Sequence, residues 1–112
     1  MRTAIIYTRT AGVAPAMMAQ QQAACEAACA RHGLTVVGRY QDIAPGLTDP
    51  ATRPGFALVL DHLRQEPAMF VVMTDPSRIA RAATTLDRGI RAIGATGARP
   101  LPLAAESDWH VD

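Results

Sequence analysis

The sequence contains no lysine, so all 11 of its basic side chains are arginines. Every fixed cation is therefore a guanidinium, a planar fork that can hold two oxygens of a phosphate or carboxylate at once. With the abundant alanine, this bias fits a GC-rich coding genome, and by itself it assigns no function. The net charge is only +1, which removes bulk basicity as a reason to bind nucleic acid and requires any basic face to be local. No apolar run approaches the ~20 residues of a membrane span, and the amino-terminal residues lack the apolar core of a secretory signal. The expectation is a cytoplasmic protein with no membrane partner.

Cysteine is scarce as well. Cys25 and Cys29 are the only two, and their spacing in a helical pattern puts them on one face in a geometry that rarely suits a disulfide. His32 one turn further on would complete three soft ligands. No second ligand cluster accompanies them, however, and cysteine in an alanine-rich helix reads as a small buried hydrophobe. No metal and no cofactor are expected. The chain also lacks internal repeats, low-complexity blocks and linkers. Its 112 residues, 49% of them hydrophobic, suffice for one core and not for two.

What is present reads as alternating strands and helices. Residues 3–9, Thr-Ala-Ile-Ile-Tyr-Thr-Arg, are short, apolar and β-branched with little alternation, the pattern of a strand buried on both faces. Pro15 suits a helix's first turn, and Gly33 supplies its stop. Residues 34–40 form a second strand, so the first crossover should be right-handed and its strands parallel. The segment 41–52 carries Asp42, Pro45, Gly46, Asp49 and Pro50, the composition of a mobile loop. Arg53-Pro54-Gly55 opens a helix to about Gln65, with Phe56, Val59, Leu60 and Leu63 on one face. Residues 68–74 make a third buried strand, broken at Asp75-Pro76-Ser77, where Ser77 is placed to cap the next helix.

That helix is expected over 78–95. Ile79, Ala83, Leu86, Ile90 and Ile93 form its apolar stripe, while Arg78, Arg81, Arg88 and Arg91 gather opposite, either as a solvated face salt-bridged to Asp87 or as a binding face. Residues 99–104, interrupted by Pro100 and Pro102, suit a final edge strand. Residues 1–105 form one domain, and 106–112, with Trp109, are expected as a tail that is loosely ordered or used for contact. The predicted fold is α/β, a mainly parallel four-stranded sheet with helices on both faces. Its carboxyl edge would gather Arg9, Asp42 and the Ser77-Arg78-Arg81 group. An arginine at the end of the first strand points to anion or phosphate chemistry, yet Ala11 beyond it offers no nucleophile. A receiver domain of this fold class is disfavoured, because no acidic pair follows the first strand to bind its metal.

Taken in order, these positions resemble the N-terminal catalytic domain of the resolvase/invertase serine recombinases. Tyr7-Thr8-Arg9-Thr10-Ala11 occupies the family's Tyr-x-Arg-Val-Ser pattern. Gln20 matches a helix glutamine, and Asp42 with Pro45-Gly46 matches an aspartate and a Ser-Gly loop. Arg53-Pro54-Gly55-Phe56 stands intact, and Ser77-Arg78-Ile79-Ala80-Arg81 occupies an Asp-Arg-Leu-x-Arg motif. The resemblance covers nearly the whole chain. It implies a serine hydroxyl attacking a DNA phosphodiester to give a phosphoserine link and a free 3′ hydroxyl, without metal. It also implies Arg9, Arg78 and Arg81 as phosphate-binding catalytic positions, Arg53 as a further arginine beside them, and Tyr7, Gln20, Asp42 and Ser77 as supporting positions.

The departures cluster on the catalytic edge. The nucleophile position is Ala11, whose methyl group cannot attack. Ser77 replaces an acid, Pro15 stands in the glutamine-bearing turn, and Pro45 replaces the loop serine. Thr10 is one residue from the required place, but alternation along an extended segment turns it away from the side shared by Arg9 and Ala11. The family's long dimerisation helix and separate DNA-binding domain do not follow within these residues. The expectation is an inactive recombinase-like domain with a partial arginine site, weak DNA contact without sequence preference, and homodimeric association or pairing with an active recombinase. Two alternatives remain: an active recombinase domain whose serine has been replaced, and a protein-interaction module that has abandoned nucleic acid.

Overall fold

In the computed structural model, which describes residues 2–111, strand β1 (Thr3–Thr10) is buried at every position from Ala4 onward. A strand so covered must be central, and the sheet order β2-β1-β3-β4 places it inside. Strands β2 (Thr35–Ile43), β3 (Phe70–Met73) and β4 (Arg99–Pro102) complete the sheet, and all three strand pairs are parallel. Helix α1 (Pro15–Arg31) lies on one face. There Cys25, Cys29 and Leu34 pack with Ala4, Ile6, Phe70 and Val72. Helices α2 (Pro54–Gln65) and α3 (Ala83–Gly94) cover the other, where Phe56, Val59, Leu63 and Ile93 meet Ile5, Tyr7, Val71 and Met73. The result is the three-layer α/β architecture expected from the alternation of elements.

Several boundaries differ from the sequence-based expectation. Strand β2 runs on to Ile43, so Asp42 lies on a strand and not in a loop. Its partner β1 continues alongside, pairing Arg9 with Asp42 and Thr10 with Ile43, and ladder hydrogen bonding overrides the loop-like composition. Helix α3 begins at Ala83, five residues later than expected. The intervening Pro76–Arg78 forms a 3₁₀ turn capped by Asp75, which accepts from the Ser77 N–H at 2.9 Å, so Ser77 is not the cap. An α-helix through this region would use the carbonyls of Ser77, Arg78 and Ile79 internally. Here those carbonyls accept from the side chains of Arg9 and Arg53. Arg78 and Arg81 consequently leave the outer face of α3.

The last strand places its prolines at the sheet edge, where the missing N–H groups are not needed. Its Arg99 N–H donates to the Met69 carbonyl at 2.9 Å. The chain after β4, including the tail expected from Glu106 as loosely ordered or used for contact, folds back over the α1 side, with a 3₁₀ segment at Leu103–Asp108. Leu103, Trp109 and Val111 join the core there. Burial raises the Cys25 thiol to about 12 and the Cys29 thiol to about 11, the behaviour of small core residues.

Candidate active site

The carboxyl end of β1 is fixed from α1 by a glutamine. Gln21 accepts from the Arg9 N–H through Oε1 at 3.1 Å and donates to the Arg9 carbonyl through Nε2 at 2.9 Å. Gln20, the position matched by the resemblance, is exposed one step around the helix. The sequence did contain the signal for Gln21. It shares a stripe with Cys25, Ala28 and Cys29, the other buried positions of α1.

Beyond that clamp, the Arg9 side chain turns inward. It is 1% exposed, and its guanidinium donates to the carbonyls of Arg78 (3.0 Å), Ala44 (2.8 Å) and Ser77 (2.8 Å). Arg53 is 2% exposed. It donates to the hydroxyl and the carbonyl of Thr48, each at 3.0 Å, and to the carbonyl of Ile79. The two buried arginines thus tie the loops after β2 and β3 to the end of β1. Burial lowers the pKa of Arg9, and the neighbouring charges of Arg53 and Arg78 lower it further. That is the electrostatic mark of cations crowded together and neutralised by dipoles, not by carboxylates.

Tyr7 and Asp42 form the layer beneath. The Tyr7 hydroxyl donates to Asp42 Oδ2 at 2.8 Å, and burial is the main reason its pKa is raised. Asp42 also accepts from the N–H groups of Gly55 (2.7 Å) and Phe56 (2.9 Å). These are orphan donors at the start of α2, so a carboxylate from the sheet caps a helix and complements its dipole. A Cβ on Gly55 would collide with the Gln41 carbonyl oxygen and lie 2.8 Å from Asp42 Oδ2. The glycine of the Arg-Pro-Gly-Phe run is what lets strand and helix approach so closely.

What remains open to solvent is a depression of about 280 Å³ lined by Arg9, Ala11, Val13, Met17, Arg78 and Arg81. Ala11 is exposed at this pocket. Arg78 is partly exposed. Its Nε donates to Thr74 Oγ1 and its Nη1 to the Arg9 carbonyl, both at 3.1 Å, while Asp75 stands 3.7 Å away. Arg81 is exposed, and among the described residues no carboxylate pairs with it. Neither nearby hydroxyl is free. Thr10 donates to the Gly12 carbonyl at 2.7 Å, and Ser77 Oγ donates to Asp75 Oδ1. The arrangement can hold an anion between Arg78 and Arg81, with a methyl group where a nucleophile would stand. Loop 11–14 also borders a larger, mainly apolar trough of about 540 Å³, where Val13, Met18 and Ile43 stand beside Gln22, Arg39 and Gln41.

The family model described as "Resolvase, N terminal domain" matches residues 4–99. This chain belongs to that family. Among solved structures, the resolvase-family domain is similar to the C-terminal catalytic domain of ISC1926 TnpA, an IS607-like serine recombinase. That match has a TM-score of 0.81 at 20% identity and covers 90% of this chain and 69% of the other. It is similar also to the N-terminal catalytic domain of TP901-1 integrase, with a TM-score of 0.81, 16% identity, and coverage of 94% and 79%. A resolvase family site-specific recombinase from Streptococcus pneumoniae follows at a TM-score of 0.77, 16% identity, and coverage of 93% and 73%. At these identities the likeness is one of fold. No curated protein sequence matches.

Within this resolvase-family domain, Arg9, Ala11, Arg78 and Arg81 line one pocket. Tyr7, Asp42 and Arg53 stand behind it as its scaffold. Ser77 lies beside it, engaged with Asp75, and Gln20 lines a neighbouring depression with Gln21, Asp75 and Arg78. Of the four arginines read from the motifs as phosphate ligands, Arg9 and Arg53 are buried with their donors on main-chain carbonyls, Arg78 is partly exposed with Nε and Nη1 engaged, and Arg81 is exposed.

Proposed function

We propose that this chain is a serine-recombinase-like domain that does not cleave DNA, contacts its phosphate backbone through Arg78 and Arg81, and serves as a DNA- or recombinase-associated regulatory module. The observation that carries this reading is Ala11, exposed at a pocket shared with both arginines while the Thr10 and Ser77 hydroxyls are engaged elsewhere. Phosphoserine formation needs a hydroxyl oxygen to attack phosphorus and a route for its proton. A methyl group supplies neither. Two guanidiniums can still hold the non-bridging oxygens of one phosphodiester, which positions the backbone without reading sequence.

The test is to incubate the protein with labelled supercoiled DNA and denature it under conditions that preserve phosphoserine bonds. The expected result is no covalent adduct, together with weak retention of DNA whose logarithmic salt slope is about 1 for a single phosphate contact. That retention should vanish in the Arg78→Ala, Arg81→Ala pair. A covalent adduct would sink the reading.

A second reading, an active domain in which the serine has been replaced, is favoured by the convergence of Arg9, Arg78 and Arg81 on the Ala11 pocket. Ala11→Ser separates the two, because adduct formation by that variant would mean the surrounding site is still competent. The third reading, a protein-interaction module, draws on the apolar trough beside loop 11–14. Failure to retain DNA at any salt concentration would favour it.

A further inference from the structure

Loop 11–14 stands between two depressions of different chemistry, and Thr10, Val13 and Ala14 line both. On one side lies the pocket of about 280 Å³ with Ala11, Arg78 and Arg81. On the other, between α1 and the carboxyl end of β2, lies the trough of about 540 Å³ that contains Pro15, Met18 and Ile43. Ala14, shared by the two, is also the N-cap of α1. Among the described residues no side chain caps that helix end, and its first turn holds no acid, so its positive end adds to the field of the arginines.

The trough is an open surface. Arg39, Gln41 and Ile43 alternate along β2 and share one face of it, and all three are exposed. Val13, on the ridge between the depressions, is 81% exposed. Arg39 is the one charged residue in the lining of the trough, and it is committed. Its Nη2 donates to Glu26 Oε1 at 3.0 Å, and its Nε donates to Oε2. Gln41 is different. Among the described residues its side-chain amide makes no hydrogen bond, so it keeps both a donor and an acceptor for a ligand.

Side by side, the two depressions match a ligand with an anionic group and, beside it, a flat body with apolar faces and a polar edge. One nucleotide of a single strand has all three. A duplex presents its phosphates but keeps the faces of its bases stacked inside, so it would leave the trough filled with water. An unmodified peptide would fill the trough and bring no phosphate to the arginines next to it.

We propose that the trough is a nucleobase site, and that this domain holds single-stranded DNA in preference to duplex. A phosphate lies at Arg78 and Arg81, and the neighbouring base packs on Met18 and Ile43 with its edge on the Gln41 amide. The proposal rests on the phosphate-contact reading given above. Packing of a base on a side-chain platform is tolerant of sequence, because every base has such a face. A carboxamide pairs with a base edge through one donor and one acceptor.

Fluorescence anisotropy on the full chain reads the preference. The probes are a labelled thymidine oligonucleotide and the same strand annealed to its adenine complement. The single strand should bind about tenfold more tightly than the duplex, and both should weaken as salt rises. Ile43→Ser combined with Gln41→Ala should lower single-strand affinity about tenfold and leave duplex affinity and the thermal melt as they were. Both side chains are exposed, so the variant keeps its fold. Arg81→Ala should weaken both forms.

Equal affinity for the two forms would overturn the nucleobase site and leave the phosphate contact standing. So would a preference that survives in Ile43→Ser, Gln41→Ala. Equal loss of both forms in that variant, with the melt unchanged, would overturn the division between trough and arginine pocket. If neither form binds even at low salt, the phosphate-contact reading falls and the nucleobase site falls with it, and the trough then serves the protein-interaction reading.

Discussion

Gln21 holds both backbone polar groups of Arg9, accepting from the N–H and donating to the carbonyl with the two ends of one amide. The clamp sits where β1 leaves the sheet, two residues before Ala11. It fixes the direction in which the chain presents the pocket loop, and it does so from a buried residue outside the lining of the Ala11 pocket.

Replacing Gln21 by alanine should cost about 1–3 kcal/mol, because the buried Arg9 N–H loses its side-chain acceptor. The Arg9 carbonyl keeps Arg78 as a donor, which limits the loss. Gln20→Ala, on the exposed neighbour, should stay within about 0.5 kcal/mol. Urea denaturation midpoints of the two variants make the comparison, and equal midpoints would refute the assignment of the clamp to Gln21.

Arg53 and Arg81 should separate stability from ligand contact. Arg53→Ala leaves the buried Ile79 carbonyl and the half-buried Thr48 carbonyl without their donor, so a loss of about 3 kcal/mol is expected. Arg53→Lys should recover little, since an ammonium cannot reproduce the fork that spans the two loops. Arg81→Ala should change stability by less than about 0.5 kcal/mol while weakening anion binding. Thermal melts with and without sulfate read both effects.

Cys25 and Cys29 should resist thiol reagents in the native protein. Burial raises their pKa values to about 12 and about 11, and the thiolate is the reactive form. At neutral pH, labelling should proceed only after denaturation. Rapid labelling of the native chain would show that α1 opens readily from the sheet.

Protonation of Glu106 should loosen the C-terminal segment, residues 103–111, from the end of α1. Its carboxyl is held at about 2, below the ~4.3 of an unfolded glutamate. A depressed value contributes stability that is fully present above the unfolded pKa and is lost as pH falls through the folded one. The contribution should therefore fade between about pH 5 and pH 2. Glu106→Gln should be less stable at neutral pH and should lack this component of the acid dependence, as read from urea midpoints at a series of pH values.

Some of the site was written in local pattern. The β-branched run ending at Arg9, the Pro15 entry to α1 and the apolar face of α2 each follow from short-range rules, and the structure has them where periodicity put them. The start of α3 was not legible. Arg78 to Arg81 fit a helical stripe, but the carbonyls that an α-helix would use internally are taken by arginines far away in sequence. Asp42 escaped for a related reason. Its neighbours read as loop, and only pairing with β1 makes the segment a strand. The resemblance also pointed to Gln20 by motif spacing, whereas the packing face of α1 selects Gln21.

By itself, the sequence determined that Ala11 carries no hydroxyl and that every cation is a guanidinium. Its order of strands and helices also set a parallel sheet whose carboxyl edge collects the motif residues, because those properties are local or follow from chain order. Only the tertiary structure decided which arginines are buried against main chain and which reach the solvent-open pocket. Arg9 finds its three carbonyl acceptors 35, 68 and 69 residues away, and whether a guanidinium spends its donors on main chain or keeps them for a ligand depends on loops that meet only after folding.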